Sequence, residues 1–343
     1  MKTLHLNAEH PLQRQRALTL LNSGGVVAVQ TETVYGLAAD ARNPEAVARI
    51  FAAKGRPERH PLIVHIHDAA ELPRWARQVP DAAAKLAEAF WPGPLTLILP
   101  RHPDVSPTVT GGLDTVALRV PDSALLRDMM AIMDTGLAAP SANPYQGLSP
   151  TRAEHVLAGL NGRIDAVLDS GPCALGIEST IVDLAAGTPT LVRPGPITVA
   201  QVEAVLGETV HTAHGDTPAP GNEAIHYRPR TRACRIPEQA FADALGWCQA
   251  QGLQVAVISH TQTTDDTVPP GHWLWLPGDK QAYAREFYDA LHRLDRLRVD
   301  IILILMPPQQ PQWQDVHNRL GKATELFRFE ALPSLRSGTQ KPA

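Results

Sequence analysis

Lys54 and Arg56 stand two residues apart across Gly55, with Pro57 behind them. Lysine offers a compact point charge and arginine a planar fork, so the pair suits the oxygens of a phosphate chain. It equally suits a helix C-terminus, where cations complement the dipole, glycine ends the helix and proline blocks its return. Spacing alone does not separate the two readings. The run Pro140-Ser141-Ala142-Asn143-Pro144, followed by Gly147, Ser149, Pro150 and Thr151, is a second constellation. Its prolines restrict the backbone around a hydroxyl and an amide that could donate to a phosphate or a ribose. An ordinary turn followed by a helix cap is the simpler alternative. His65 ends an apolar run, where an imidazole is commonly a satisfied, partly buried group. Arg119 ends another, and a buried arginine needs a partner, of which a substrate carboxylate is one candidate. Glu178-Ser179-Thr180 and Arg193-Pro194-Gly195 repeat the theme. Four cations (Lys54, Arg56, Arg119, Arg193) beside small hydroxyls point to an anionic small substrate such as a nucleotide. Neither a Gly-x-Ser-x-Gly elbow nor a GxxxxGK[ST] loop accompanies them, so hydrolase and P-loop chemistry lack support.

The elements that would hold these residues alternate strand and helix. Val26 to Val29 is strand-like and ends in the hydroxyl-rich turn Gln30-Thr31-Glu32-Thr33. A helix follows, with Asn43 at its N-cap, Pro44 at its first position and Ala46, Val47, Ile50 and Phe51 on one face. Leu62 to Val64, Leu95 to Leu99, Thr115 to Val120, Ile177 to Leu184 and Thr190 to Arg193 read as strands. Thr151 can cap a helix through Leu160, and Thr198 to Leu206 closes the domain. Polar residues thus collect at strand ends, where α/β sheets bind ligands. Residues 1–210 read as a mixed α/β domain. Residues 211–232, rich in Pro, Gly, Thr and His, read as a linker. Beyond it, strands at Gln254–Ile258 and Ile301–Leu305 alternate with helices at 279–294 and 313–324. Residues 233–343 therefore read as a small parallel, Rossmann-like domain without GxGxxG.

The chain of 343 residues is long enough for two domains, and 44% hydrophobic residues can bury sizeable cores. A net charge of −4 disfavours tight nonspecific nucleic-acid binding, while a local basic pocket is compatible with it. Cys173, Cys234 and Cys248 are scattered, which excludes a zinc ribbon and suits a reducing cytosol. No signal-peptide core or long apolar run is visible, so the expectation is a cytoplasmic protein away from membranes.

The stretches TETVYGLAADA, IFAAKGRP, PLIVHI, FWPGPLTLIL, TVALRVP, APSANPYQGLSPT, GIESTIVD and LVRPGPIT occur in this order. Together they resemble the YrdC-like threonylcarbamoyl-adenylate synthases over about residues 10–207. The pairing of K-x-R with S-x-N, here Lys54/Arg56 and Ser141/Asn143, is that family's signature. YAREFYDALHRLD and DVHNRLGKAT are similar to the extra domain of its long, two-domain form. The resemblance implies a twisted α/β fold around a deep basic cavity. It implies the reaction L-threonine + bicarbonate + ATP → threonylcarbamoyl-AMP + pyrophosphate + water, serving modification of the tRNA adenosine next to the anticodon through a downstream threonylcarbamoyl transferase complex. On this analogy Thr31, His65, Arg119, Ala139 and Ser179 hold threonine. Lys54, Arg56, Thr115, Ser141, Asn143, Ser149, Arg193 and Tyr227 hold ATP, with Lys54 and Arg56 neutralising phosphates during catalysis. Magnesium would be held mainly by phosphates, since no carboxylate cage is evident and no protein metal ligand is expected.

The chain departs from the family pattern at two places. Gln30 stands where proline is usual, and a P-G-M-K-Y-R-H-Y-A-P-like segment reads Pro220-Gly221-Asn222-Glu223-Ala224-Ile225-His226-Tyr227-Arg228-Pro229. Competing readings are the carbamoyl-adenylate step of hydrogenase maturation, which would bring Cys-rich zinc fingers, and an RNA-binding or ribosome-assembly module using the same cavity, with direct tRNA contact.

Overall fold

The computed structural model describes residues 2–213, 227–261 and 267–329. Eleven strands form the first sheet. They are β1 (Leu4–Asn7), β2 (Val27–Gln30), β3 (Tyr35–Asp40), β4 (Ile63–His65), β5 (Leu95–Pro100), β6 (Thr115–Arg119), β7 (Leu137–Ala138), β8 (Ala166–Asp169), β9 (Thr180–Asp183), β10 (Thr190–Arg193) and β11 (His211–Thr212). Their order is β1-β8-β2-β3-β7-β4-β6-β5-β9-β10-β11, with parallel and antiparallel pairs mixed. The second sheet holds β12 (Arg232–Ile236), β13 (Val255–Ser259), β14 (Trp273–Trp275), β15 (Ile301–Leu305) and β16 (Glu325–Leu326) in the order β14-β13-β15-β12-β16. Every pair in it is parallel. The expected twofold α/β organisation, a mixed sheet and a smaller Rossmann-like sheet, is what the chain adopts.

Both sheets are covered on both faces, which is why their strands read as unbroken apolar runs. In β15, Ile302 and Ile304 enter one core, while Ile301, Leu303 and Leu305 enter another. In β2, Ala28 faces one core while Val27 and Val29 face the opposite one. Leu148 and Ile177 of the first domain share an apolar core with Phe287 and Leu320 of the second. The two domains therefore meet through buried side chains.

The helix Pro44–Lys54 forms as its punctuation requires. Asn43 accepts from the amides of Glu45 and Ala46, and Gly55 closes the helix in the left-handed region at φ 66°. Likewise Thr198 and Gln201 form a capping box on Val199–Leu206, and Asp279 accepts from Ala282 at the head of Lys280–Asp295.

Three expectations change. The hydroxyl-rich turn does not lead directly into a helix: it is the hairpin connection from β2 to the antiparallel strand β3. Thr151 does not cap the next helix, which begins at Ala153 after an extended Arg152. Its amide turns instead toward His155 Nδ1 at 3.3 Å. The span 211–232 is not uniformly a connector. His211–Thr212 pairs with β10, Arg232 opens β12, and residues 214–226 lie outside the described residues. Gln30, which keeps a donor that proline lacks, uses its side-chain amide to reach the Pro172 carbonyl at 2.8 Å.

Candidate active site

Parallel pairing of β4 with β6 places His65 directly beside Arg119. The β2–β3 turn brings Thr31 and Thr33 over them, and Ala139 and Ser141 follow β7 on the same side. Ser179 precedes β9 and Arg193 ends β10, its neighbour. These residues, with Arg56, Glu178 and Tyr227, line one cavity with an empty volume of about 520 Å³. Of the residues singled out in the sequence, Thr31, Arg56, His65, Arg119, Ala139, Ser141, Ser179, Arg193 and Tyr227 meet there.

Four do not line it. Lys54 is buried, and its Nζ donates to the carbonyl oxygens of Ser141 and of Asn143, the latter at 2.6 Å. It therefore ties down the segment that forms the wall. The Asn143 amide donates to the carbonyls of Pro144 and Gly147 at 2.7 and 2.9 Å, folding the loop on itself. Ser149 is fully buried and donates to Glu178 Oε1 at 2.5 Å. Thr115 opens β6 half-buried, outside the lining.

Arg119 has an internal counter-ion where the sequence left a substrate carboxylate as a candidate. Its Nη2 lies 2.5 Å from Glu32 Oε1, Nη1 donates to Thr33 Oγ1 at 3.0 Å, and Nε donates to the Gly93 carbonyl at 3.1 Å. His65 is fully enclosed. Burial, reinforced by the Arg119 charge, pulls its pKa down to about 3, so the ring is neutral at pH 7. Neither ring nitrogen makes a well-aligned hydrogen bond among the described residues. Arg193 holds Ser179 twice, through its carbonyl and its hydroxyl, each at 3.0 Å. Tyr227 is buried in the left-handed region at φ 64°, and burial with the nearby Glu178 charge pushes its phenol up to about 12.

One participant, Arg319, was not singled out in the sequence, and Glu178 was noted there only as part of a polar strand end. Glu178 faces the cavity, and Arg319, from the helix Gln314–Ala323 of the second domain, donates through Nε to Glu178 Oε2 at 2.8 Å. Burial raises the Glu178 pKa, but Arg319 and Arg193 outweigh it and hold the carboxyl below its ordinary range. The available signal was a charge on an apolar helical face: Arg319 lies three residues after Val316 and beside Leu320.

A family model described as "Telomere recombination", covering Sua5, YciO and YrdC, matches residues 19–195. A second, described as the C-terminal domain of threonylcarbamoyl-AMP synthase, matches residues 197–324. The chain is 40% identical to the Bacillus subtilis threonylcarbamoyl-AMP synthase over 91% of its own length and 92% of that protein. The chain belongs to the threonylcarbamoyl-AMP synthase family. The Pyrococcus abyssi threonylcarbamoyl-AMP synthase is 38% identical over 90% of this chain and 93% of that one. The crystal structure of P. abyssi Sua5 complexed with L-threonine superposes with a TM-score of 0.86 at 33% identity, covering 95% of this chain and all of that one. The synthase family member is thus of the long, two-domain form and an enzyme of the adenylyl-transferring kind. Hydrogenase maturation and a purely RNA-binding role are not favoured by these matches. Among the described residues, no helix is long and apolar enough to cross a membrane.

Proposed function

We propose that this cavity joins L-threonine, bicarbonate and ATP into threonylcarbamoyl-AMP, with release of pyrophosphate and water. The observation that carries the reading is the convergence of three arginines (Arg56, Arg119, Arg193) and a neutral imidazole on one cavity.

Thr31, His65, Arg119, Ala139 and Ser179 form the threonine end. Its ammonium meets hydroxyls and the electron-rich side of a neutral ring, and its carboxylate meets Arg119. Arg56, Ser141, Arg193 and Tyr227 form the nucleotide end, with Thr115 nearby. Lys54, Asn143 and Ser149 shape that end through the loop they hold. Once its ammonium has lost a proton, the threonine amine attacks the bicarbonate carbon, and a carbon–oxygen bond there breaks with loss of water to give a carbamate. A carbamate oxygen then attacks the α-phosphorus, and the bond to the pyrophosphate oxygen breaks. Two anions must approach, so preorganised positive charge lowers the barrier and little covalent chemistry falls to the protein.

The carboxylates near the cavity suit magnesium carried by the nucleotide phosphates better than a protein-built cage. Glu178 is engaged by Ser149 and Arg319, and Glu32 by Arg119. Glu154, His155 and Asp289 cluster within ligand distance of one another but do not line the cavity. Three buried free thiols suit a cytoplasmic setting. There the product would pass to a transferase complex that modifies tRNA.

The test is incubation with L-threonine, bicarbonate and Mg-ATP, following pyrophosphate and threonylcarbamoyl-AMP. Synthesis that requires threonine and falls with serine supports the reading. ATP cleavage indifferent to threonine overturns it.

A further inference from the structure

Arg319 comes from the second domain, yet three of its nitrogens bond to the loops that carry the cavity wall. Nε donates to the Glu178 carboxylate at 2.8 Å, Nη2 to the Glu178 carbonyl at 3.2 Å and Nη1 to the Pro194 carbonyl at 2.7 Å. Glu178 directly precedes Ser179, and Pro194 directly follows Arg193. One planar fork therefore spans the ends of two neighbouring strands at the point where each presents a cavity residue. The other Glu178 oxygen accepts from Ser149, which stands on the Ser141-to-Ser149 loop across the site. Tyr288 of the second domain adds a hydroxyl to Glu178 Oε2 at 3.3 Å. The Arg319 guanidinium also lies 5.9 Å from the centre of the Tyr227 ring, another cavity-lining residue.

The approach of the domains at this point is close. Gly176, two residues before Glu178, is at φ +69°, and a Cβ there would fall 2.4 Å from the Arg285 carbonyl oxygen in the helix Lys280–Asp295. Arg319 has 0% exposure, and a fully buried cation of this kind is weak evidence for stability in itself. Its bonds go to three groups that must keep one arrangement for the cavity to keep its shape.

We propose that Arg319 is a positioning residue for the synthase site. The second domain sets the spacing of Ser179, Arg193 and Ser149 through it, so docking of the domains and ligand binding in the cavity are one linked equilibrium. This rests on the reading given under Proposed function. The coupling is reciprocal: a ligand that needs the assembled wall tightens the domain contact.

The variants are Arg319→Lys, which keeps charge but loses the fork, and the double variant Glu178→Gln with Arg319→Met, which removes both charges of the Glu178–Arg319 pair. Far-UV circular dichroism and thermal melts establish folding. A merely structural residue changes the fraction of active protein, which lowers apparent kcat and leaves KM alone. A positioning residue moves KM. In folded variants, KM for threonine and for ATP should rise about tenfold or more, with Arg319→Lys less affected than the double variant. Folded variants with unchanged KM overturn the proposal.

If the variants do not fold, hydrogen exchange on the unaltered chain decides. Threonine with ATP should slow exchange of amides in Gln314–Ala323; protection of the cavity strands with no change in that helix overturns the proposal. Wild-type protein that makes no threonylcarbamoyl-AMP sinks the proposed reaction. Wild-type protein that does make it, beside folded variants of unchanged KM, sinks the inference alone.

Discussion

Arg119, which lines the cavity, and Glu32 form a buried ion pair, with Nη2 2.5 Å from Oε1 and both side chains under one-tenth exposed. Neither Glu32 oxygen makes a further well-aligned hydrogen bond among the described residues. Removing one partner of such a pair strands the other, at a cost of roughly 3–5 kcal/mol. Glu32→Gln should therefore lower the denaturation midpoint while leaving Arg119 more available to a substrate carboxylate. Denaturant titration beside threonine calorimetry checks this. A lower midpoint with retained or tighter threonine binding is expected, and an unchanged midpoint would remove the pair from any structural role.

Lys54 holds two carbonyls of the loop that includes Ser141 and Asn143. Lys54→Ala leaves those buried acceptors short of a donor, at about 1–3 kcal/mol for an unsatisfied group. The loop should loosen, and the Ser141 wall it carries should shift, a displacement that can cost on the order of 10²-fold in synthesis. Steady-state rates on folded protein are the measurement, and near-normal synthesis would exclude the role.

Two buried imidazoles make stability depend on pH. Burial and Arg119 lower the His65 pKa to about 3, and burial with His155 lowers that of His292 to about 3, both from an ordinary 6.5. His292 stacks on His155 with ring centres 3.9 Å apart and donates from Nε2 to the Ser149 carbonyl at 3.1 Å. Between pH 6.5 and 3 the unfolded chain binds protons that the folded chain refuses. Stability is therefore complete above about pH 6.5 and falls as pH drops through that window. Each ring contributes up to about 1.4 kcal/mol per pH unit. Melting temperatures from pH 7.5 to 5 should fall, and His292→Gln, which can still donate to Ser149, should flatten the slope. A slope unaltered in that variant would contradict the assignment.

Gly195 permits the tightest contact in the Ser179 wall. A Cβ there would lie 2.3 Å from the Thr180 amide nitrogen and 2.6 Å from the Ser179 carbonyl carbon, both backbone atoms that cannot step aside singly. Gly195→Ala should force β9 and β10 apart, cost about 1–3 kcal/mol as overpacking does and reduce synthesis more than stability. Rates and thermal melts measured on one preparation distinguish this from general unfolding.

Much of the framework could be read along the chain because its signals are local. Asn43 with Pro44 opened the helix Pro44–Lys54 and Gly55 closed it, as cap chemistry requires. Thr190–Arg193 and Ile301–Leu305 appear as strands at the expected residues. Strand β3 was hidden because the hydroxyl-rich turn before it carries no Gly-containing hairpin signal. The ordered motifs carried the family and its reaction, and the cations of Arg56, Arg119 and Arg193 do converge. Lys54 and Asn143 have the residue types of ligands, yet the structure directs the polar groups of both to carbonyls of the loop that carries Ser141 and Asn143.

Which charges neutralise one another lies beyond any reading of spacing. Arg119 meets Glu32 because two strands and a hairpin turn close on one another, and Arg319 meets Glu178 across 141 residues because two domains dock. Residue type states what a side chain can do, and periodicity states which face of an element it occupies. The partner it finds depends on long-range packing, where a buried polar group must take whatever complement the fold brings within reach.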